Sequence, residues 1–341
     1  MNRSCAGRTS STPSQAAHTR SRLAGARLLL ALPLLAFSTA AWPQAYPTKP
    51  IRLIAPYPAG GGVDGTARVI AQALTEQLGQ QVVVENRGGA TGRIGTEFVA
   101  KAPPDGYTLL LGSGAPNAVV PAVTPKLPYD AIKSFAPITL VGITDYTLLV
   151  HPSLPAQNMR QLVALAKARP GELSYGSSGI LSNTHLAGEL LNQLANVKIT
   201  HVAYKGTGPA LIGVLTGETA LSFGGGPATA QYIKSKRLRA LATTDGRRRA
   251  PDLATIAEIL PGYEVTQWYG VMAPAGTPRE VIERLHKELV RAVSSPKVSE
   301  QLTSLDTEPV TNTPEAFLGL IKSEMAKWVK VTQTARIAPQ Q

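Results

Sequence analysis

One strand, one glycine-rich turn and one helix follow each other at residues 51–78, and this unit limits the possible folds more than any other stretch. Ile51-Arg52-Leu53-Ile54-Ala55 reads as a strand. Pro56-Tyr57-Pro58-Ala59-Gly60-Gly61-Gly62-Val63-Asp64 is the turn. Val63, Ala67, Ile70, Leu74 and Leu78 then recur with helical spacing on one face. Asp64 is the expected N-cap and Gly79 the expected stop. A turn of this kind leaves backbone N–H groups open at a helix N-terminus, where an anion is favoured.

The same grammar repeats. Val82-Val83-Val84 is a second strand, and Arg87-Gly88-Gly89-Ala90-Thr91-Gly92 turns into a helix over Ile94–Lys101. Tyr107–Leu111 is a third strand, ending in Gly112-Ser113-Gly114. A later block runs through strand 173–175, loop Gly176-Ser177-Ser178-Gly179, and a helix with Leu186, Leu190, Leu191 and Leu194 on one face. Strand Ile199–Ala203, loop Tyr204-Lys205-Gly206-Thr207-Gly208-Pro209, another helix, and strands Ala220–Phe223 and Leu238–Thr243 follow. Strands alternating with helices predict an α/β fold with mainly parallel sheets.

Two segments read as crossings between the blocks: Tyr146–Pro152 and Trp268–Pro274, each aromatic, then aliphatic, then proline, with a helix after Pro155 and after Pro278. Thr277-Pro278-Arg279-Glu280 has the pattern of a capping box with proline at the first helical position. Two crossings predict a chain that leaves one domain, builds a second and returns. The expected domains are 46–147 with 267–341, and 148–266, with a ligand cleft between them. A last helix, Pro314–Thr334, is expected to cap the first domain.

The first 45 residues are of another kind. Arg3, Arg8, Arg20, Arg22 and Arg27 precede or border the apolar run Leu28–Phe37, no Asp or Glu appears, and the small residues Ser38, Thr39, Ala40 and Ala41 follow. This is the pattern of a secretory signal peptide, with cleavage after Ala40, Ala41 or Ala45. The apolar run is too short to span a bilayer. The single cysteine, Cys5, lies upstream of that run, so lipid attachment, disulfides and thiolate metal sites are not expected in the exported chain. Without those five arginines the net charge falls from +12 to +7. The basic clusters Lys234–Arg239 and Arg247–Arg249 lack interleaved aromatics. They read as solvated surface, or a mild field for anionic solutes, and not as a nucleic-acid site.

Gly60-Gly61-Gly62-Val63-Asp64-Gly65 fits G-x-G-x-x-G, with Glu85 near the position of a ribose-binding acid. Four residues intervene between strand end and first glycine, which widens the loop beyond a dinucleotide turn. No lysine follows, so a P-loop fails too. Catalytic patterns are missing: Gly176-Ser177-Ser178-Gly179 lacks the spacing of a nucleophile elbow, there is no H-E-x-x-H, and His18, His151, His185, His201 and His286 are dispersed. No cofactor, metal or catalytic residue is expected. Ahead of the helix that carries Leu186, Ser182, Asn183 or Thr184 supplies the cap, leaving the other hydroxyls and amides of Ser177–Thr184 for a ligand. His185 reads either as a first-turn packing residue or as a contact, and Lys205 either as a surface lysine or as a partner for a carboxylate.

These residues also carry a family resemblance. Lys49-Pro50-Ile51, Pro58-Ala59-Gly60-Gly61 with Asp64, Val84-Glu85-Asn86-Arg87, Pro104-Asp105-Gly106-Tyr107-Thr108-Leu109, Leu127-Pro128-Tyr129-Asp130, His185-Leu186-Ala187-Gly188-Glu189, Tyr204-Lys205-Gly206 and Ala273-Pro274-Ala275-Gly276-Thr277-Pro278 together resemble the solute receptors of tripartite tricarboxylate transporters, the TctC or Bug family, over residues 46–337. The resemblance implies a periplasmic, type II binding-protein fold: a two-domain Venus flytrap with a central cleft. It would be monomeric, deliver a small organic acid to membrane permease subunits, and perform no chemistry. It implies ligand contacts at Tyr57, Pro58, Ala59, Gly60, Gly61 and Asp64, at Ser113, at Ser177, Ser178, Asn183, Thr184 and His185, and at Lys205 and Gly206. In such receptors the first loop holds a carboxylate largely through ordered water and backbone groups. A ligand-presenting role in signalling, or an exported hydrolase, are the other readings. Two departures stand out: Gly224-Gly225-Gly226 follows Phe223 where the family usually has an acid, and Ala203 stands for a usual proline. The missing acid argues against amine-bearing ligands.

Overall fold

The structure, a computed structural model, describes residues 46–124, 126–246 and 252–334. The expected leader and the Arg247–Arg249 cluster lie outside them.

The first sheet begins as expected. β1 (Ile51–Ala55) leads into α1 (Gly62–Leu78), β2 (Val82–Asn86), α2 (Arg93–Ala100) and β3 (Thr108–Ser113). β1 pairs in parallel with β2 and β3, Leu53 opposite Val84 on one side and Leu109 on the other. After α3 (Val120–Val123) comes β4 (Phe135–Asp145), and a single residue, Tyr146, separates it from β5 (Thr147–Val150). β5 belongs to the second sheet. That sheet adds α4 (Met159–Ala168), β6 (Ser174–Ser177), α5 (Asn183–Ala195), β7 (Thr200–Ala203), α6 (Thr207–Leu215), β8 (Leu221–Gly224), α7 (Gly226–Lys234) and β9 (Arg239–Thr243). β10 (Thr266–Pro274) returns to the first sheet, followed by α8 (Arg279–Val293), α9 (Pro296–Ser304) and α10 (Pro314–Thr334).

The two sheets share one plan. Their orders are β2-β1-β3-β10-β4 and β7-β6-β8-β5-β9. Each has parallel neighbours on one side and an antiparallel crossing strand, β10 or β5, next to the edge. Sheet membership changes between Asp145 and Thr147, since Thr147 already pairs with Gly224 and Thr243 while Thr266 pairs with Asp145.

Thr244 joins the two crossings. Its hydroxyl accepts from Tyr146 N (2.8 Å) and donates to Val265 O (2.7 Å). Its backbone N–H donates to Tyr146 O (2.8 Å), and its carbonyl accepts from Val265 N (2.9 Å). The residue is fully buried. Thr244→Val keeps the shape but orphans one donor and one acceptor, so chemical denaturation should show a loss of about 1–3 kcal/mol. An unchanged midpoint would mean the crossings do not depend on this residue.

The core follows the helical stripe. Ala67, Ile70 and Leu74 of α1 and Leu285 and Leu289 of α8 bury against Leu53, Leu109 and Val271. Each such leucine, isoleucine or valine side chain contributes about 1.5–3 kcal/mol when fully buried. On the opposite face Phe317 of α10 meets Trp268 edge to face, with centroids 5.3 Å apart. α10 covers β4 as expected but also reaches α5, on the side of the second sheet.

Two cap assignments need correction. α1 starts at Gly62 with Gly61 as N-cap, so Asp64 lies inside the first turn. Its carboxylate instead reaches back to Gly60 N (2.9 Å). α8 has Pro278 as N-cap and no side-chain cap, because the Thr277 hydroxyl donates to Pro274 O (2.8 Å) and so is turned away from the helix. Gly79 does end α1, in the left-handed region with φ 66°.

Candidate functional site

The site is built where the strands of the first sheet end and the two crossings pass. The loop after β1 exposes Pro58, Ala59, Gly60, Gly61 and Gly62. Asp64, 5% exposed, braces this loop from below. It accepts from Gly60 N, from Arg68 Nε (3.1 Å) and from Asn86 Nδ2 (3.0 Å), and Asn86 also donates to Tyr57 O (3.1 Å). Burial pushes the Asp64 carboxyl up, but the Arg68, Gly60 and Asn86 hydrogen bonds together hold it below its ordinary value. The Gly60 amide is therefore already engaged inside the protein, so its expected grip on an anion is replaced by a role in shaping the turn. The amides at the start of α1, Gly61 and Gly62, remain the ones a helix leaves without intrahelical acceptors.

Three phenols gather beside this loop. Tyr269 Oη lies 2.7 Å from where a Gly62 side chain would begin. Burial pushes the Tyr57 phenol up to about 12, while Ser113 beside it pulls the other way. Burial also raises Tyr146, as do Tyr269 and Tyr57, with Asn183 opposing. Tyr269 is raised by burial, then by Tyr57 and Asp306. All three are neutral hydroxyl donors at any physiological pH. They bring together residues from the first loop, both crossings and α5.

The second-sheet loop is knitted by its own side chains. Ser182 is the cap of α5, accepting from His185 N (3.2 Å). Ser178 N donates to Thr184 Oγ1 (2.9 Å), and the Ser178 and Thr184 hydroxyls lie 2.9 Å apart. Asn183 crosses to β10, its Nδ2 donating to Gln267 Oε1 (2.5 Å) and Thr266 O (3.2 Å). Ser177, fully buried, has its hydroxyl 2.6 Å from His201 Nε2 and bonded to Gly179 O. This places the Ser177 hydroxyl under the loop, out of contact with solvent. Gly206 caps α6 with φ 123°, and Lys205 is exposed.

His185 turns inward. It stacks on His201 with ring centroids 4.0 Å apart, and its Nδ1 accepts from Leu181 N (3.1 Å). This bond holds Leu181, buried and at φ 61°, in the left-handed region. Burial, then His201, depress the imidazole to about 3, and burial lowers His201 as well. Below pH 6.5 the unfolded chain takes up the proton that the folded His185 refuses. Stability is thus complete above pH 6.5 and declines as pH falls towards 3, by up to about 1.4 kcal/mol per pH unit. His185→Asn keeps an acceptor and cannot titrate. Thermal melting from pH 7 to 4 should show a shallower decline for this variant than for the native protein, and parallel curves would contradict the assignment.

The structure thus brings Tyr57, Ser113 and Asn183 together, sets Ser178 and Thr184 at the second loop, and turns Ser177 and His185 into the second sheet. Tyr146, Tyr269, Gln267, Trp268 and Asn117 join the site without having been singled out as site residues. Their available signal was the aromatic residue at the head of each crossing. The Gly224 position leaves no room for the absent acid, since a Cβ there would lie 2.7 Å from Thr229 Oγ1 and 3.0 Å from both Leu149 and Leu211. A groove of about 460 Å³, lined by Thr147, Thr229, Ile233, Thr303 and Asp306 among others, opens between α7 and the end of α9.

Comparison with known proteins identifies the family and the fold. Residues 66–337 match the model of the tripartite tricarboxylate transporter family receptor. The chain belongs to that receptor family. An R. palustris protein solved with adipate is similar to this TctC-family receptor, at 36% identity and a TM-score of 0.79 over 86% of this chain and 100% of that one. The periplasmic binding protein BugD is similar at 34% identity and a TM-score of 0.76, over 86% and 100%. MatC from Rhodopseudomonas palustris, with bound malate, is 28% identical with a TM-score of 0.74, over 84% and 99%. The TctC-family receptor accordingly has the two-domain, type II periplasmic-binding-protein fold that the sequence resemblance implies.

Proposed function

We propose that this receptor is periplasmic, captures a small carboxylate-bearing metabolite between its two lobes without chemistry, and passes it to membrane permease subunits. The lobes would be residues 46–147 with 267–341, and 148–266. One observation supports this most: neutral donors from the partly buried Tyr57 and Tyr146 and the buried Tyr269 meet the exposed start of α1 where both crossings pass. A carboxylate there would gain hydrogen bonds from hydroxyls and backbone amides, with Ser178, Asn183 and Thr184 contributing from the second lobe. Contacts from both lobes exist together only when they are closed, so ligand shifts the population towards closure. The adipate and malate held by similar proteins are acids of this size class.

Mass spectrometry of whatever co-purifies, then thermal-shift screening of mono- and dicarboxylic acids, tests the reading. A carboxylic acid raising Tm in a saturable way is expected. Stabilisation only by non-acidic solutes, or turnover of an ester or amide, would overturn it.

A further inference from the structure

α9 ends on an aspartate at a position that suits glycine. Thr307 N donates to Leu302 O (3.0 Å) and Asp306 N to Thr303 O (2.9 Å), the paired bonds of a Schellman helix end. The motif puts Asp306 in the left-handed region, at φ 60°, which glycine takes at no steric cost. The charge is unfavourable there too, because a carboxylate at a helix C-terminus faces the negative end of the dipole. The end of α9 therefore gains nothing from this side chain.

α7 lies across from it. Asp306 Oδ2 stands 3.8 Å from the Cβ position of Gly225, the N-cap of α7. Gly225 has no side chain to cap with, and the first turn, Gly226-Pro227-Ala228, contains no acid. The amides of Gly226 and Ala228 are among those a helix leaves without intrahelical acceptors, and Pro227 has none. Gly225 also sits against the first crossing, its Cβ position 3.1 Å from Asp145 O and 3.9 Å from Tyr146 Cδ1.

The two partners hang from different sheets. Ile143 of β4 and Glu308 exchange backbone bonds (2.9 and 2.8 Å). Leu305 Cδ1 lies 3.2 Å from the Cβ position of Gly65 in α1. Asp306 is thus tied to the first sheet on both sides, whereas α7 follows β8 of the second. The groove between them has Thr303, Ser304 and Asp306 on one wall and Thr229 and Ile233 of α7 on the other.

We propose that Asp306 is a strut between the lobes: its carboxylate, carried by the first lobe, caps α7 of the second across this groove and holds the lobes at their relative angle. The proposal rests on the lobe division given above and is independent of the ligand class.

Hydrogen exchange of the unliganded exported chain, read by mass spectrometry, tests the cap. Asp306→Gly relieves the left-handed backbone, so peptides from α9 should exchange no faster than in the native protein. Peptides from α7 should exchange about 2- to 10-fold faster, the lower part of the range for a lost helix cap, because Asp306 is exposed. Asp306→Asn keeps an acceptor oxygen and tolerates the same backbone, so its α7 should stay within about twofold of native. The strut is read by distance. The exported chain has no cysteine, so spin labels at Glu300→Cys on α9 and Lys234→Cys on α7, both exposed, report the groove alone. Their distance distribution should broaden with Asp306→Gly and stay native with Asp306→Asn. Equal α7 exchange in all three proteins, or Asp306→Asn behaving as Asp306→Gly, would overturn the cap. Faster α7 exchange at an unchanged label distance would overturn the strut. Both measurements are made without ligand, so their failure leaves the carboxylate reading standing.

Discussion

Tyr269→Phe is expected to weaken carboxylate binding by about 10- to 150-fold, the range for a hydrogen bond to a charged group. Only one oxygen is removed. The ring stays in the cluster with Val271, Leu285 and Leu289, so the unliganded melting temperature should hardly change. The size of the effect follows from the setting. Tyr269 is 5% exposed, and its phenol stands against Gly62 at the start of α1. A carboxylate at that helix start has lost most of its hydration, and no water enters easily to replace the lost donor. Calorimetry on the acid found by screening would measure it. A change below about twofold would mean that the phenol faces protein and not ligand.

The second large effect is structural. Gly270→Ala should cost about 3 kcal/mol or more, at the upper end of overpacking penalties. A methyl at 270 would stand 2.2 Å from Phe317 Cζ and 2.6 Å from Cε1. The ring cannot retreat, because it is fully buried and packed edge to face on Trp268. α10 would have to lift from β4 and from α5. Equilibrium unfolding in urea should show the loss directly, and Gly270→Ala with Phe317→Leu should recover part of it. Native-like stability of the single variant would refute this packing.

The alternation of strand, turn and helix was readable in the sequence because periodicity is local. α1 buries the stripe Val63, Ala67, Ile70 and Leu74 as the spacing predicts, and Tyr146 sits where the chain changes sheet, whereas Trp268 lies inside β10, already paired with Ile143. The caps were less readable. Whether Asp64 or Thr277 caps a helix depends on one residue of offset and on which backbone group is nearer, and in both cases a loop atom wins. The glycine loop was readable as a turn ahead of a helix, but the side chains that surround it come from elsewhere. Tyr146, Asn183 and Tyr269 come from three distant segments and meet only through the sheet order. His185 looked open to a ligand because nothing local reveals the His201 ring, carried by β7, that stacks on it.

A crystal structure of the receptor with its identified acid is the most direct test. The carboxylate is expected between the lobes, within hydrogen-bonding distance of a phenol among Tyr57, Tyr146 and Tyr269 and of a backbone amide at Gly61 or Gly62. An acid lodged in the groove between α7 and α9, with those phenols facing only protein, would contradict it.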